Sequence, residues 1–274
     1  MSAAESADRV LPLQGVHNFR DYGGYALPGG GRLKRGILWR SGQHHGATDA
    51  DLEHIARLGL ATVFDLRSSR ERSVHPCRRP DGFTAQVILS DDPPPREKRV
   101  EAAAPHVAQA MTATSAGLRD PEEIRAGMRR NYSGIAWRPE LVAAIRLYLD
   151  RLASGAGPSL VNCMAGKDRT GIAVAMLHHA VGVHPDDIMA DYLLTNTAGD
   201  VEARIAAGIE TIRATSRATD DTLLRIMMGV ERDWLESVYR RANEEHGSID
   251  GYLRDVLGVD DHLRDRLRQA LAED

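Results

Sequence analysis

Residues 158–171 read Pro-Ser-Leu-Val-Asn-Cys-Met-Ala-Gly-Lys-Asp-Arg-Thr-Gly, which sets Cys163 and Arg169 at the two ends of a short, glycine-containing loop. Leu160 and Val161 lead in as an apolar strand end. Ile172, Val174, Met176, Leu177, Ala180 and Val181 lead out as a helix that is apolar nearly all round. Between the cysteine and the arginine, Met164, Ala165, Gly166, Lys167 and Asp168 can curl so that successive backbone N–H groups converge on one point, reinforced by the N-terminus of the helix that follows. Such a nest fits a tetrahedral dianion, and phosphate is the obvious guest. The same dipoles, with a fixed guanidinium beside them, favour a thiolate at Cys163 and make it a nucleophile. Arg169, planar and always charged, would grip two phosphoryl oxygens side by side. Thr170 could hydrogen-bond the sulfur and ease its departure from phosphorus. Gly166 and Gly171 permit backbone approach that a side chain would obstruct.

Cysteine and arginine at this spacing recur by chance in an arginine-rich chain, so the context carries the weight. A helix apolar on every side belongs in a core, which holds the loop rigidly at its mouth. The bland alternative for Cys163 is a small buried residue at a strand end. Lysine is nearly absent from the chain while arginine is abundant, so Lys167 inside the loop stands out from background. Its compact ammonium suits a second phosphate or a carboxylate better than a bidentate clamp; a solvated surface charge is the competing reading.

The loop signature Cys-Met-Ala-Gly-Lys-Asp-Arg-Thr-Gly resembles that of the cysteine-dependent protein phosphatases, and within them the bacterial tyrosine/serine phosphatases. Three further segments carry the likeness in the same order: Asn-Phe-Arg-Asp-Tyr-Gly-Gly-Tyr at residues 18–25, Phe-Asp-Leu-Arg-Ser at 64–68, and Asp-Tyr-Leu-Leu-Thr-Asn at 191–196. The resemblance implies a phosphocysteine mechanism without metal or other cofactor. It implies phosphorylated partners: phosphotyrosine proteins, phosphoserine or phosphothreonine proteins, and phosphoinositides, the last because a lysine at the position of Lys167 accompanies polyanionic headgroups. The chain departs from the pattern at Asn162, where the family usually carries histidine; asparagine can hydrogen-bond the loop backbone but adds no positive charge.

A general acid must protonate the leaving oxygen. Asp168, beside Arg169, matches the position proposed for the acid in the bacterial group and ranks first. Asp91 and Asp92, followed by three prolines, match the place of the acid in small dual-specificity phosphatases and rank second, with a strand-ending turn as the plain alternative. Asp65, at a strand end, would instead orient Arg169 or Arg67. From a different class, the chain could be a phosphate-binding pseudophosphatase that captures a phosphorylated partner; Asn162 favours that reading, and the intact cysteine, arginine and threonine oppose it.

The frame around these residues reads as α/β. Residues 22–26 and 32–39 flank Pro28-Gly29-Gly30-Gly31 as an N-terminal hairpin. Thr48 caps a helix that runs to about Arg57. Residues 61–66, 85–89 and 160–162 are short apolar strands without alternation, as expected in a mostly parallel central sheet flanked by helices on both faces. The loop then falls at the carboxyl edge of a strand, where ligands bind in such sheets. Residues 1–274 read as a single phosphatase domain with helical additions at 96–134 and 195–229, the second of them a lid in the related phosphatases. The residues from Trp234 to Leu257 have helical, core-like spacing.

Composition sets the outer limits. With 274 residues and a net charge of −4 from interspersed signs, nothing argues for a nucleic-acid partner. No apolar run is long enough to span a membrane, and residues 1–10 lack the features of a signal peptide, so the expected location is cytoplasmic, with signal-less export left open. Two cysteines, Cys77 and Cys163, give no disulfide framework; a reversible bridge between them has precedent in related phosphatases. The pairs His44-His45 and His178-His179 lack partners at metal-ligand spacing and read as structural. Arg67, Arg70 and Arg72 read as a solvated helix face or as receivers of extra substrate charge. Arg20 and Asp21 read as a phosphate-side pair or as an ion pair that ties the N-terminal segment down.

Overall fold

The computed structural model describes residues 8–90, 120–200, 202 and 221–274. Its first elements are strands β1 (Arg20–Asp21), β2 (Arg32–Leu33) and β3 (Leu38–Ser41), helix α1 (Asp49–Arg57), β4 (Thr62–Asp65), α2 (Ser69–Val74) and β5 (Gln86–Leu89). Helices α3 (Pro121–Ile135) and α4 (Pro139–Ala153) lead to β6 (Ser159–Asn162), which is followed by α5 (Asp168–Val181), α6 (Pro185–Leu193) and α7 (Thr195–Ala198). The chain closes with α8 (Asp221–Met228), α9 (Arg232–His246), α10 (Ile249–Asp255), α11 (Asp261–Leu271) and β7 (Ala272–Glu273).

Five strands form the main sheet in the order β1-β3-β6-β4-β5; β3, β6, β4 and β5 run parallel, and β1 lies antiparallel on the outer edge. All residues of β3, β4 and β6 are buried, which is why these strands lack a polar face in sequence. Side chains alternate across the sheet. Trp39, Val63 and Leu160 point into a small core with Phe19 and Ile55 of α1; Phe64 and Val161 point into the main core built on α3 to α6 and α8 to α11. The helices are therefore unevenly divided between the faces. Strand β5 departs from the expected covered strand: Gln86, Val87 and Leu89 are exposed at the sheet edge.

Register then decides what meets at the carboxyl edge. Ser41, Asn162 and Asp65 are level with one another, so the residues that follow β3, β6 and β4 converge on one site. On the other row, Arg40 is level with Val161 and Phe64 and faces the same helical layer as they do. Helix α5 is buried without interruption from Thr170 to Leu177 and ends at Gly182, whose φ of 93° is the left-handed geometry that glycine allows. Each fully buried Ile, Leu or Met contributes on the order of 1.5–3 kcal/mol, so this helix anchors the loop at its start.

The remaining elements follow local signals. Thr48 and Asp51 form a capping box at α1; Ser68 and Glu71 do the same at α2; Asp120 caps α3 with Pro121 in its first turn. The expected N-terminal hairpin is present as a bridge between Ala26 and Arg32, and β2 pairs with the C-terminal β7. Trp234, Leu235, Val238, Leu253 and Leu257 are buried. No helix among the described residues is long and apolar enough to cross a membrane. Residues 96–119 and most of 195–229 beyond residue 200 lie outside the described residues.

Candidate active site

The loop after β6 is held by its carbonyl oxygens. Met164 O accepts from the Gln43 backbone N–H at 3.0 Å. Asn18 Nδ2 donates to Gly166 O at 2.7 Å and to Ala165 O at 3.4 Å, and Arg40 Nη2 donates to Gly166 O at 3.0 Å. With its carbonyls drawn towards β3 and the N-terminal segment, the loop's N–H groups are left on the opposite side. Among the described residues, no protein acceptor takes the N–H of Met164, Ala165 or Gly166. Buried backbone donors are rarely left in that condition, and an anion satisfies several at once. Gly166 is needed for the fit: its φ is +64°, and a Cβ there would sit 2.5 Å from the backbone carbon and oxygen of Ser41.

Behind this grip lies a buried charge cluster. Asp191 of α6 receives Arg40 Nη1 at 2.5 Å and Arg20 Nε at 3.4 Å, and its backbone carbonyl accepts from Arg20 Nη2 at 2.8 Å. Arg20 also donates to the side-chain oxygen of Asn18. Asn18 has a φ of 61°, a conformation asparagine tolerates better than most residues. Burial alone would raise the Asp191 carboxyl, but the guanidinium groups of Arg20 and Arg40 overrule it and hold the group well below the usual aspartate range. Arg20 thus serves the loop through Asn18 and Asp191. Asp21 is separate: it accepts from Arg35 Nε at 2.9 Å and caps the turn at Gly23.

Cys163 is buried at the end of β6. Arg169 reaches back from the first turn of α5 and is gripped by Glu71 of α2, Nη1 to Oε2 at 2.7 Å and Nη2 to Oε1 at 2.8 Å, with Leu66 O a third acceptor at 2.9 Å. Burial opposes the charge on Arg169, but the fork with Glu71 and the nearby Cys163 sulfur outweigh it and keep the guanidinium firmly protonated. For Glu71, burial again acts upward, and the bond to Arg169 carries the carboxyl below its ordinary value. Glu71 was not singled out by sequence reasoning; the capping-box spacing Ser68-x-x-Glu71 flags it as a helix cap but not as the residue that aims Arg169.

Asp65 orients Arg67, not Arg169: Arg67 Nε and Nη2 donate to its two oxygens at 2.8 and 2.7 Å. Arg67 is buried and also donates to His75 O, so it is neither a solvated face nor open to substrate. Arg72 is spent on the carbonyls of Arg67 and Ser90. Asn162 donates its amide to Asp65 Oδ1 at 3.4 Å rather than to the loop backbone, and its own side-chain oxygen is buried without a partner among the described residues. The residue replacing the family histidine therefore belongs to the Asp65–Arg67 pair.

Asp168 opens α5, and its side chain is 24% exposed. Its Oδ1 accepts from the Tyr132 hydroxyl at 2.7 Å and lies 3.6 Å from Lys167 Nζ. Lys167 is buried, not solvated: Nζ donates to Met227 O in the last turn of α8 at 2.6 Å and lies 5.4 Å from the centre of the Trp234 ring. Thr170 Oγ1 is buried without a partner among the described residues. Asp91 and Asp92 lie outside the described residues. Cys77 and Cys163 are both free thiols, and Cys77 accepts from the His44 N–H at 3.3 Å. His44 is pushed down to about 3 by burial beside Arg79 and Arg67, and His178 is lowered by burial, which outweighs the upward pull of Asp191 and of its hydrogen bond to Tyr22 O, so both are neutral packing residues. Among the described residues, no three His, Cys, Asp or Glu side chains are grouped to hold a metal ion.

A cysteine and an arginine set around a backbone nest, at the carboxyl end of the central strand of a parallel sheet, define a phosphatase of the cysteine-dependent class. The chain belongs to the tyrosine phosphatase family, whose model matches residues 11–273. It is 32% identical over 278 aligned residues to the triple specificity protein phosphatase PtpB of Mycobacterium tuberculosis, covering 96% of this chain and 99% of that protein. It is also 32% identical over 254 residues to a Cupriavidus necator protein whose name places it with the tyrosine-protein phosphatases, covering 91% and 85%.

Three outcomes follow from this geometry. Gly166→Ala should raise the inhibition constant for inorganic phosphate at least about tenfold, because the loop must move off Ser41; unchanged inhibition would show that the close approach is unimportant. Glu71→Gln should lower kcat/KM on an aryl phosphate by about ten- to a hundredfold, since the fork that aims Arg169 is lost. Asp191→Asn should destabilise the protein by about 3–5 kcal/mol at neutral pH, because it leaves two buried guanidinium groups uncompensated. The Asp191 carboxyl lies below its ordinary value when folded, so its contribution is complete above about pH 4 and declines as the pH falls further. Urea melts of both proteins across that range should show the gap closing on the acid side.

Proposed function

We propose that the chain hydrolyses phosphomonoesters, chiefly phosphotyrosine in proteins, through a phosphocysteine intermediate on Cys163 and with no metal in any step. The observation that carries this reading is the set of loop N–H groups without acceptors among the described residues, around a buried cysteine and a fixed arginine. The Cys163 thiolate attacks phosphorus in line, the S–P bond forms as the bond to the leaving oxygen breaks, and Asp168 gives its proton to that oxygen. Arg169 and the N–H groups of residues 164–168 hold the equatorial oxygens as charge builds on them. Water then attacks phosphorus and loses its proton to the Asp168 carboxylate. The S–P electrons return to sulfur, aided by the Thr170 hydroxyl, and inorganic phosphate leaves.

The substrates are phosphorylated proteins. The name of the mycobacterial relative supports a site open to more than one phosphorylated class, so phosphoserine and phosphothreonine belong within the proposal. The Lys167 ammonium is held by the C-terminal carbonyl of α8, which weighs against the phosphoinositide reading, because a second phosphate would have to win the ammonium from that carbonyl.

Hydrolysis of a small aryl phosphate by wild type and Cys163→Ser, each with and without chelator, tests the proposal. Cys163→Ser should lose about a thousandfold or more in kcat, and chelator should leave the wild type unchanged. Activity that survives the serine change, or that disappears with chelator, would exclude the phosphocysteine route.

A further inference from the structure

Among the described residues, the carboxyl proposed above as the acid has its polar side-chain contacts on one oxygen. Tyr132 Oη donates to Asp168 Oδ1 at 2.7 Å, and Lys167 Nζ approaches the same Oδ1 at 3.6 Å. Among the described residues, nothing contacts Oδ2 within hydrogen-bond range. Tyr132 is fully buried in the last turn of α3, and its ring cannot swing away. It packs edge-on against Tyr192 with ring centres 6.2 Å apart and lies 5.7 Å from the Trp234 ring. The Tyr192 ring is itself wedged against the start of α5, where a Cβ on Gly171 would come within 3.2 Å of it. The hydroxyl is therefore delivered to a fixed point beside the first turn of the helix. Burial and the adjacent Asp168 hold the phenol well above its ordinary value, so it stays a donor.

We propose that Tyr132 is the positioning residue of the general acid: its hydroxyl engages Oδ1, fixes the rotation of the carboxyl, and leaves Oδ2 as the oxygen that carries the proton to the leaving group. The inference rests on Asp168 being that acid. It makes α3 part of the reaction machinery. A buried tyrosine that merely finds a nearby carboxylate would add to stability and to nothing else.

The two roles separate in the leaving-group dependence of kcat/KM. Phenyl phosphate needs protonation as its bond breaks; 4-nitrophenyl phosphate, with an acidic leaving group of nearly the same shape, needs it far less. For Tyr132→Phe, kcat/KM on phenyl phosphate should fall about tenfold while the value on 4-nitrophenyl phosphate stays within about twofold. Asp168→Asn should show the same selectivity, larger, and Tyr132→Phe added to it should widen the selectivity no further. Because the ratio of the two substrates is read in one preparation, a lowered folded fraction cancels. Equal losses on both substrates, or a further widening in the double variant, would overturn the role of Tyr132 while leaving Asp168 in place. An Asp168→Asn protein blind to the leaving group would overturn the acid assignment and this inference with it, whereas Cys163→Ser would still report on the nucleophile.

Discussion

The loop after β6 turns donors outward because its carbonyl oxygens are occupied. A loop of small residues carries as many acceptors as donors, and left to itself it would offer an anion both signs. Here Asn18, Arg40 and the Gln43 N–H take the carbonyls of residues 164–166 from behind, so what remains facing outward is donors. Two of those three holders depend in turn on one carboxylate. Asp191 fixes Arg40 directly and Asn18 through Arg20, and the two guanidinium groups keep this fully buried aspartate ionised against the cost of its desolvation.

Adjacent residues on α6 divide the support between them. Asp191 stands behind the loop carbonyls, while Tyr192 packs against α5 and against the tyrosine that meets Asp168. Glu71, at the start of a different helix, completes the set by forking Arg169. The loop carbonyls, Arg169 and Asp168 are thus each held from a separate element, and they meet because β3, β6 and β4 end level with one another.

Much of this was legible in the sequence. The loop, its flanking strand β6 and buried helix, the capped α1, and the inner strand β4 follow from local pattern, since short apolar runs and capping residues act over a few positions; residues 32–39 read as one arm of a hairpin, whereas the chain breaks there into β2 and the central parallel strand β3. The aligned segments at 18–25 and 191–196 were visible as signatures, yet their joint purpose was not, because it arises from a contact between residues far apart in the chain. Glu71 was hidden behind a second, sufficient explanation as a helix cap. Asp65 carried two readings that only the geometry separates, and it serves Arg67. Lys167 stood out as a candidate for a second phosphate and Arg67 read as a solvated face or a receiver of substrate charge; in both cases the chain buries the ammonium or guanidinium against carbonyl oxygens that composition cannot reveal. The exposed β5 has the composition of a covered strand, and its place at the sheet edge is a matter of topology alone.

The most direct measurement is a titration of Cys163→Ser protein with inorganic phosphate, followed through the backbone amide resonances of residues 164–169. The amides of Met164, Ala165 and Gly166 should move together, saturate at one concentration, and lose that response when Asn18 is changed to Ala. Amides that stay still while only surface arginine resonances respond would contradict an anion site built from outward-facing loop donors.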